Sequence, residues 1–143
     1  MEKDNKKIDE FTKIYVDSIE RNTDRRSLTN KFFLTLDTFV FAVFSFLFLN
    51  VDVQNRNLSM LIITLIGIIF NIIHLITIFS FRMLNKSKFK ILDEICRKNG
   101  YINPYCMEQK RKKHISFTTL EIFIPITFIV ILVIFISLVH TIM

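Results

Sequence analysis

The stretch LSMLIITLIGIIFNIIHLITIFSF, residues 58–81, decides the fold. Its apolar residues run on without the polar positions that a soluble amphipathic helix places at nearly every turn, and His74 is its only titratable group. It lies between Arg56 and Arg82 and is long enough to cross a hydrocarbon core about 30 Å thick. We therefore predict a membrane-spanning helix over residues 58–81.

Two further apolar runs flank this helix. Residues 32–49 would cover roughly 27 Å as a helix, and residues 115–143 form the last run. The whole chain holds only two glycines and two prolines, which favours a few long helices over hairpins and tight turns. The predicted fold class is an all-α integral membrane protein with three transmembrane helices.

The charged residues predict the orientation of these spans. Residues 82–113 contain ten basic and three acidic residues, a net charge of +7, whereas the connection at residues 50–57 is short and neutral. Because Lys and Arg accumulate on the cytoplasmic side of membrane helices, the basic segment 82–114 is predicted to be cytoplasmic. The N-terminus then lies inside, and the 50–57 loop and the C-terminus lie outside.

Residues 1–31 are predicted to form an amphipathic cytoplasmic arm. Ile8, Phe11, Tyr15 and Ile19 recur at steps of three and four, which places them on one face of a helix. That apolar face is expected to be covered. It could lie on the lipid surface, pack on the other cytoplasmic segment or contact a neighbouring subunit.

The basic segment is predicted to contain a helical insertion. Phe89, Leu92, Ile95 and Cys96 keep helical spacing up to Asn99-Gly100, a typical helix stop, so the second span can continue inward as one long helix. Cys96 and Cys106 are expected to be free thiols, since a cytoplasmic location keeps cysteines reduced.

Three ionisable residues lie inside the predicted spans, at similar distances of about 9 to 12 Å from their cytoplasmic ends. They are Asp37, His74 and Glu121. Thr64 and Asn71 share one broad face of the second span with His74. Two interpretations stay open: these groups hold one helical bundle together by hydrogen bonds, or several subunits arrange them around an axis as a polar constriction for ions. Three spans enclose too little space for a channel, so the second requires a homo-oligomer.

The basic segment also has two interpretations. Its charge sets the topology and attracts anionic headgroups, or it binds an anionic nucleotide or oligonucleotide through a cluster in which tyrosines stack on bases. The residues of this candidate site are Arg97, Lys98, Tyr101, Tyr105, Lys110, Arg111, Lys112 and Lys113. No catalytic constellation, metal-ligand spacing or cofactor motif is recognisable, so an enzyme is the least expected class.

Three stretches resemble the SLATT-type small membrane effectors of bacterial nucleotide-signalling defence systems. They are YVDSIERNTDRRSLTNKFFLTLDTFVFA at residues 15–42, RMLNKSKFKILDEI at residues 82–95 and TTLEIFIPITF at residues 118–128. The resemblance draws attention to residues of the first two stretches, namely Arg25, Arg26, Asn30, Phe32, Phe33, Asp37, Asn85, Lys88, Phe89 and Glu94. It implies an oligomeric effector of the bacterial inner membrane that responds to a signal made by a partner nucleotidyltransferase-type enzyme.

The functional hypothesis is therefore an anti-phage defence effector that forms a homo-oligomeric membrane channel or disrupts the membrane when a nucleotide or oligonucleotide signal binds. The alternative is a membrane immunity protein that sequesters a pore-forming bacteriocin. Small size and several spans fit both classes.

Overall fold

The computed structural model describes the backbone of residues 2–50, 53–98, 100 and 117–141, and the side chains of residues 10–49, 58–98, 100 and 119–137. Within these residues the chain forms three α-helices: α1 (Glu2–Asn50), α2 (Val53–Lys98) and α3 (Phe117–Thr141). Each contains an apolar stretch long enough to cross a membrane. An all-helical protein with three candidate spans is what the sequence predicts.

The first two helices are much longer than a bilayer is thick. With 49 and 46 residues, α1 and α2 extend for about 74 and 69 Å, more than twice the roughly 30 Å of a hydrocarbon core. A large part of each helix therefore projects from the membrane. We call residues 10–31 of α1 and residues 82–98 of α2 the stalk.

The amphipathic arm and the helical insertion are not separate helices. Residues 2–31 are the first part of α1, and residues 82–98 are the last part of α2, each continuous with its span. No glycine or proline lies between residues 2 and 50 to interrupt the helical hydrogen bonds of α1. Of the predicted 50–57 loop, Asn50 belongs to α1 and residues 53–57 belong to α2.

The end of α2 lies where the sequence places it. Lys98 is the last helical residue, and Gly100 has a φ of 71° with its amide donating to the carbonyl of Arg97 at 3.4 Å. A left-handed φ just after a helix is readily adopted by glycine, which has no Cβ to clash. Gly100 thus lies just past the end of α2, as predicted, whereas Asn99 lies outside the described residues.

The helices pack through seams of alternating three- and four-residue steps. α1 packs along α2, and α3 packs against α2. The buried positions of α2 within the membrane are Met60, Thr64, Gly67, Asn71, His74 and Ile78. The steps alternate between four and three, so every second position lies seven residues further on, the repeat with which helices wrap around one another in a left-handed supercoil. The polar stripe recognised in the sequence is part of this seam.

In the stalk, the seam continues as a small apolar cluster. Ile19 of α1 is buried with Leu92 and Cys96 of α2, and Tyr15 and Phe89 pack against them. The predicted apolar face of the arm is only partly used, since Phe11 is 58% exposed. Two steps of four residues turn a helix by about 80°, which carries Phe11 off the face that Ile19 occupies. Ile8 lies outside the described side chains.

Most of the apolar surface of the spans remains uncovered within one chain. Only 22, 28 and 17% of the apolar windows of the three helices is buried. Lipid or neighbouring protein must therefore cover the rest.

Candidate functional site

Glu121 joins the first turns of α3 to α1. It lies four residues after Phe117, the first residue of α3. One carboxylate oxygen accepts a hydrogen bond from the Arg26 guanidinium, which also forms a salt bridge with it, and the other accepts from Asn30 Nδ2 at 2.6 Å. The side chains of Arg26 and Glu121 are only 11 and 5% exposed. This is a buried ion pair in which both carboxylate oxygens are satisfied, the condition under which a buried charge is tolerated.

Asn30 extends this connection to α2. Because its amide nitrogen donates to Glu121, its oxygen is available to His74, whose Nε2 lies 3.2 Å away. The His74 imidazole stacks on the Phe33 ring of α1 at a centroid distance of 4.4 Å and an interplanar angle of 9°. One asparagine thus contacts side chains of both other helices. We call Arg26, Asn30, His74 and Glu121 the three-helix network.

A second polar contact joins α1 and α2. Asn71 Nδ2 donates to Asp37 Oδ1 at 2.7 Å and to the carbonyl of Gly67, one turn earlier on its own helix, at 3.0 Å. Asp37 and Asn71 are 3 and 1% exposed. Within the described part of the chain, Asp37 Oδ2, Asn71 Oδ1 and His74 Nδ1 are buried without a hydrogen-bond partner. The buried polar groups are therefore only partly satisfied, which costs the packed arrangement free energy.

Gly67 brings the three helices close together near this contact. A Cβ atom at this position would lie 2.9 Å from Cδ1 of Leu132 in α3 and 3.0 Å from Cγ1 of Val40 in α1. A larger residue would require the Leu132 or Val40 side chain to shift, and glycine leaves room for both, as small residues commonly do where membrane helices pack. Thr64, one turn away, is fully buried and donates to the carbonyl of Met60 in its own helix at 2.7 Å.

All five residues of the predicted polar layer are therefore buried between helices of a single protomer. The expectation that Asp37, His74 and Glu121 meet at one depth is correct for His74 and Glu121, which both contact Asn30, and wrong for Asp37. Glu121 is level with Arg26 and Asn30, whereas Asp37 lies seven to eleven residues further along α1, about 10 to 16 Å deeper. Counting from the nearest basic residue misjudged the depth because long basic side chains do not mark a fixed level of the membrane surface.

Arg26 and Asn30 carry the three-helix network but are not among the residues of the predicted polar layer; only the resemblance to SLATT-type effectors drew attention to them. A signal was present. They lie four residues apart on α1 and continue the spacing of the buried positions Asn22, Phe33 and Asp37. Polar residues at seam positions are expected to meet polar partners on the facing helix.

The stalk contains two further polar contacts that the sequence did not reveal. Asn22 is 4% exposed and its amide donates to the Asn85 side-chain oxygen. Lys88 Nζ donates to the carbonyl oxygen of Ser18 at 2.9 Å and to its hydroxyl at 2.7 Å. These contacts fix the register of α1 against α2 outside the membrane.

The predicted anion-binding cluster is described only in part. Arg97 and Lys98 are exposed in the last turn of α2. Cys96 is a free cysteine, buried in the stalk. The other members of the predicted cluster, and Cys106, lie outside the described residues; they are Tyr101, Tyr105, Lys110, Arg111, Lys112 and Lys113.

Comparisons with known proteins connect the chain to a family. No curated protein and no solved structure matches the chain. A family model described as the octameric membrane protein family, 8xMP, matches residues 10–142, nearly the whole chain. Three candidate spans and long uncovered apolar faces agree with that description. This protein, a multi-pass membrane protein, belongs to the octameric membrane protein family.

Proposed function

We propose that this protein is a bacterial anti-phage defence effector, a homo-octameric membrane channel or membrane-disrupting assembly opened by a nucleotide or oligonucleotide signal. The observation that carries the proposal is the three-helix network, which ties the inner end of the stalk to all three spans. Because α1 and α2 run unbroken from stalk to span, a displacement of the stalk is transmitted directly to this network.

The octamer supplies what one protomer lacks. Three helices cannot surround an aqueous path, and the buried polar groups of one chain face its own helices. The family description names an eightfold assembly, and the exposed apolar faces of the spans offer the surface on which neighbours pack. Eight protomers around an axis are enough to enclose a pore.

In the packed arrangement the network holds the assembly closed. Asp37 and Asn71 would line an aqueous path only after the helices of a protomer separate. The partly satisfied hydrogen bonds support this, since water would satisfy Asp37 Oδ2 and Asn71 Oδ1 once they are exposed. A signal opens the assembly only if it binds the open arrangement more tightly than the closed one.

The signal and the orientation are proposed from the sequence. The resemblance to SLATT-type effectors supports a nucleotide signal made by a partner nucleotidyltransferase-type enzyme. The net charge of +7 in residues 82–113 supports a cytoplasmic stalk and an external C-terminus in the inner membrane. Opening of the assembly would dissipate the membrane potential of an infected cell.

Inducible expression in a bacterium, with a membrane-potential dye as the readout, tests the proposal. Expression of the Asn30→Ala variant, in which the three-helix network is weakened, is expected to depolarise the membrane and arrest growth, whereas the natural protein should stay closed in the absence of its signal. In that variant, Asp37→Leu, which removes a charge from the path, should abolish the effect at an equal level of assembled octamer, and Thr38→Leu at the exposed neighbouring position should not. A harmless Asn30→Ala variant, together with a natural protein that protects cells from one pore-forming bacteriocin, would overturn the proposal and favour the immunity function.

A further inference from the structure

A cavity of about 320 Å³ lies between the two helices of the stalk. Its wall includes three cationic side chains, Arg21, Arg25 and Lys88, and two neutral polar ones, Ser18 and Asn22. Apolar side chains complete the lining. The volume is at the lower end of the roughly 300–1,000 Å³ that small-molecule pockets occupy.

Helical spacing gathers these residues on one side of α1. Ser18, Asn22 and Arg25 follow one another at steps of four and three, so they share a face with Arg21 beside them. Lys88 approaches from α2 because its ammonium group donates to the Ser18 carbonyl and hydroxyl oxygens. The cation from the second helix is thus held in place before any ligand arrives.

The three cations retain many hydrogen-bond donors. Lys88 uses two of its three N–H groups on Ser18. Arg21 uses Nε on the carbonyl of Asp17, at 3.3 Å, which leaves the four N–H groups at the end of its guanidinium. Arg25 adds a guanidinium whose fork geometry suits phosphate oxygens.

The cavity lining is positively charged. None of the described residues that form its wall is a carboxylate. Among the residues that the structure describes, Arg26 rather than these three cations forms the salt bridge with Glu121. Three positive charges around one cavity, none of which forms a salt bridge among the described residues, favour a multiply charged anion.

The height of the cavity above the membrane bears on the source of that anion. Lys88 and Arg25 each lie seven residues beyond the predicted span ends at Phe81 and Phe32, about 10 Å along the helix axes, whereas a headgroup layer adds roughly 5 to 8 Å. The cavity therefore begins outside that layer, where a soluble anion has free access. A lipid phosphate would have to rise out of its layer to reach it.

We propose that this stalk cavity binds a phosphate-bearing anion through Arg21, Arg25 and Lys88. The assignment deepens the proposed function, on which it rests for its role: Arg25 directly precedes Arg26, so an anion bound there acts next to the three-helix network. The site lies apart from the predicted cluster at the end of α2 and consists of other residues.

Binding of inorganic pyrophosphate to the full-length octamer in phosphatidylcholine nanodiscs tests the site. Arg25→Gln and Arg21→Gln should each weaken binding about tenfold, the effect of losing one charge-assisted hydrogen-bonding group. Lys90→Gln is the matched control, because it removes one positive charge from an exposed position of α2 outside the cavity. It should change affinity by less than about twofold. Equal weakening by all three variants would overturn the site, since the binding would then follow net charge alone.

A second arm distinguishes a lipid source. Octamers from nanodiscs containing phosphatidylglycerol are examined by native mass spectrometry. Phosphatidylglycerol retained by the natural protein and by Lys90→Gln, and lost from Arg25→Gln, would support the cavity with a lipid phosphate as its occupant. Failure of both probes to bind the natural octamer would overturn the proposal.

Neither arm measures ion flux, so the two proposals fail separately. Specific pyrophosphate binding in an assembly that never depolarises a membrane would keep the site and overturn the channel. A protein that depolarises membranes but binds neither probe would keep the channel and overturn the site.

Discussion

Asn30 is the residue on which the packing of the three helices depends most directly. It donates to Glu121 of α3 and faces His74 of α2 from its position in α1. Its spacing from Asn22, Phe33 and Asp37 indicates a position facing another helix, but an asparagine just before an apolar run is also typical of an exposed membrane boundary. The partner in α3 is 91 residues away and lies beyond any local pattern.

Asn30→Ala should destabilise the protomer by about 1 to 2 kcal/mol, since it removes two interhelical hydrogen bonds inside a membrane bundle. Reversible unfolding in detergent micelles measures the change. Thr35→Ala is the control, because Thr35 is exposed on the same helix and donates only to the carbonyl of Lys31. Equal stability of the two variants would argue against the network.

The Arg26–Glu121 ion pair can be tested by charge reversal. Arg26→Glu and Glu121→Arg should each lower the yield of folded octamer strongly, because removing one partner leaves a buried charge uncompensated, at a cost of roughly 3 to 5 kcal/mol. The double variant should recover part of the loss. Additive losses in the double variant would show that the two side chains do not interact.

At the scale of the element, the sequence predicted more than at the scale of the residue. The apolar runs predicted three helices, and Asn99-Gly100 predicted the end of α2, because these are local properties of the chain. The sequence did not predict that the arm (residues 1–31) and the first span would form one continuous helix, α1. The change from charged to apolar residues near Lys31 marks a change of surroundings, and the helical backbone continues through it.

Gly67 gives a test of close helix packing. Gly67→Ile should destabilise the protomer by about 1 to 3 kcal/mol, the usual effect of overpacking, because its side chain meets Leu132 and Val40. Ser80→Ile is the control at an exposed position of the same helix. Unfolding of both variants in detergent measures the difference, and equal stability would contradict the proximity of α1 and α3 at this level.

The packing of the stalk is tested by cross-linking. In a Cys106→Ser background, Ile19→Cys should form a disulfide with Cys96 under mild oxidation, since the two positions belong to one buried cluster. Phe11→Cys, at an exposed position, should not. Counting the remaining thiols by maleimide mass labelling gives the result. Cross-linking of the exposed position alone would contradict the antiparallel pairing of the stalk helices.

At the scale of the whole molecule, the burial of the polar residues could be predicted from the sequence, but which of them contact one another could not. Asp37, His74 and Glu121 are buried, as their cost in lipid requires. Their partners depend on the offset between helices, and Glu121 sits level with the stalk end of α1 because Arg26 and Asn30 satisfy it there. That offset depends on how the helices pack, and the periodicity of a single helix does not reveal it.

The central claim is that the three-helix network keeps the octamer closed. Ion flux from liposomes containing purified octamers, measured without any added nucleotide, tests it most directly. The natural protein and Thr35→Ala should hold the ion gradient, and Asn30→Ala should release it because the closed packing has lost its interhelical bonds. An Asn30→Ala octamer as ion-tight as the natural one would contradict the claim.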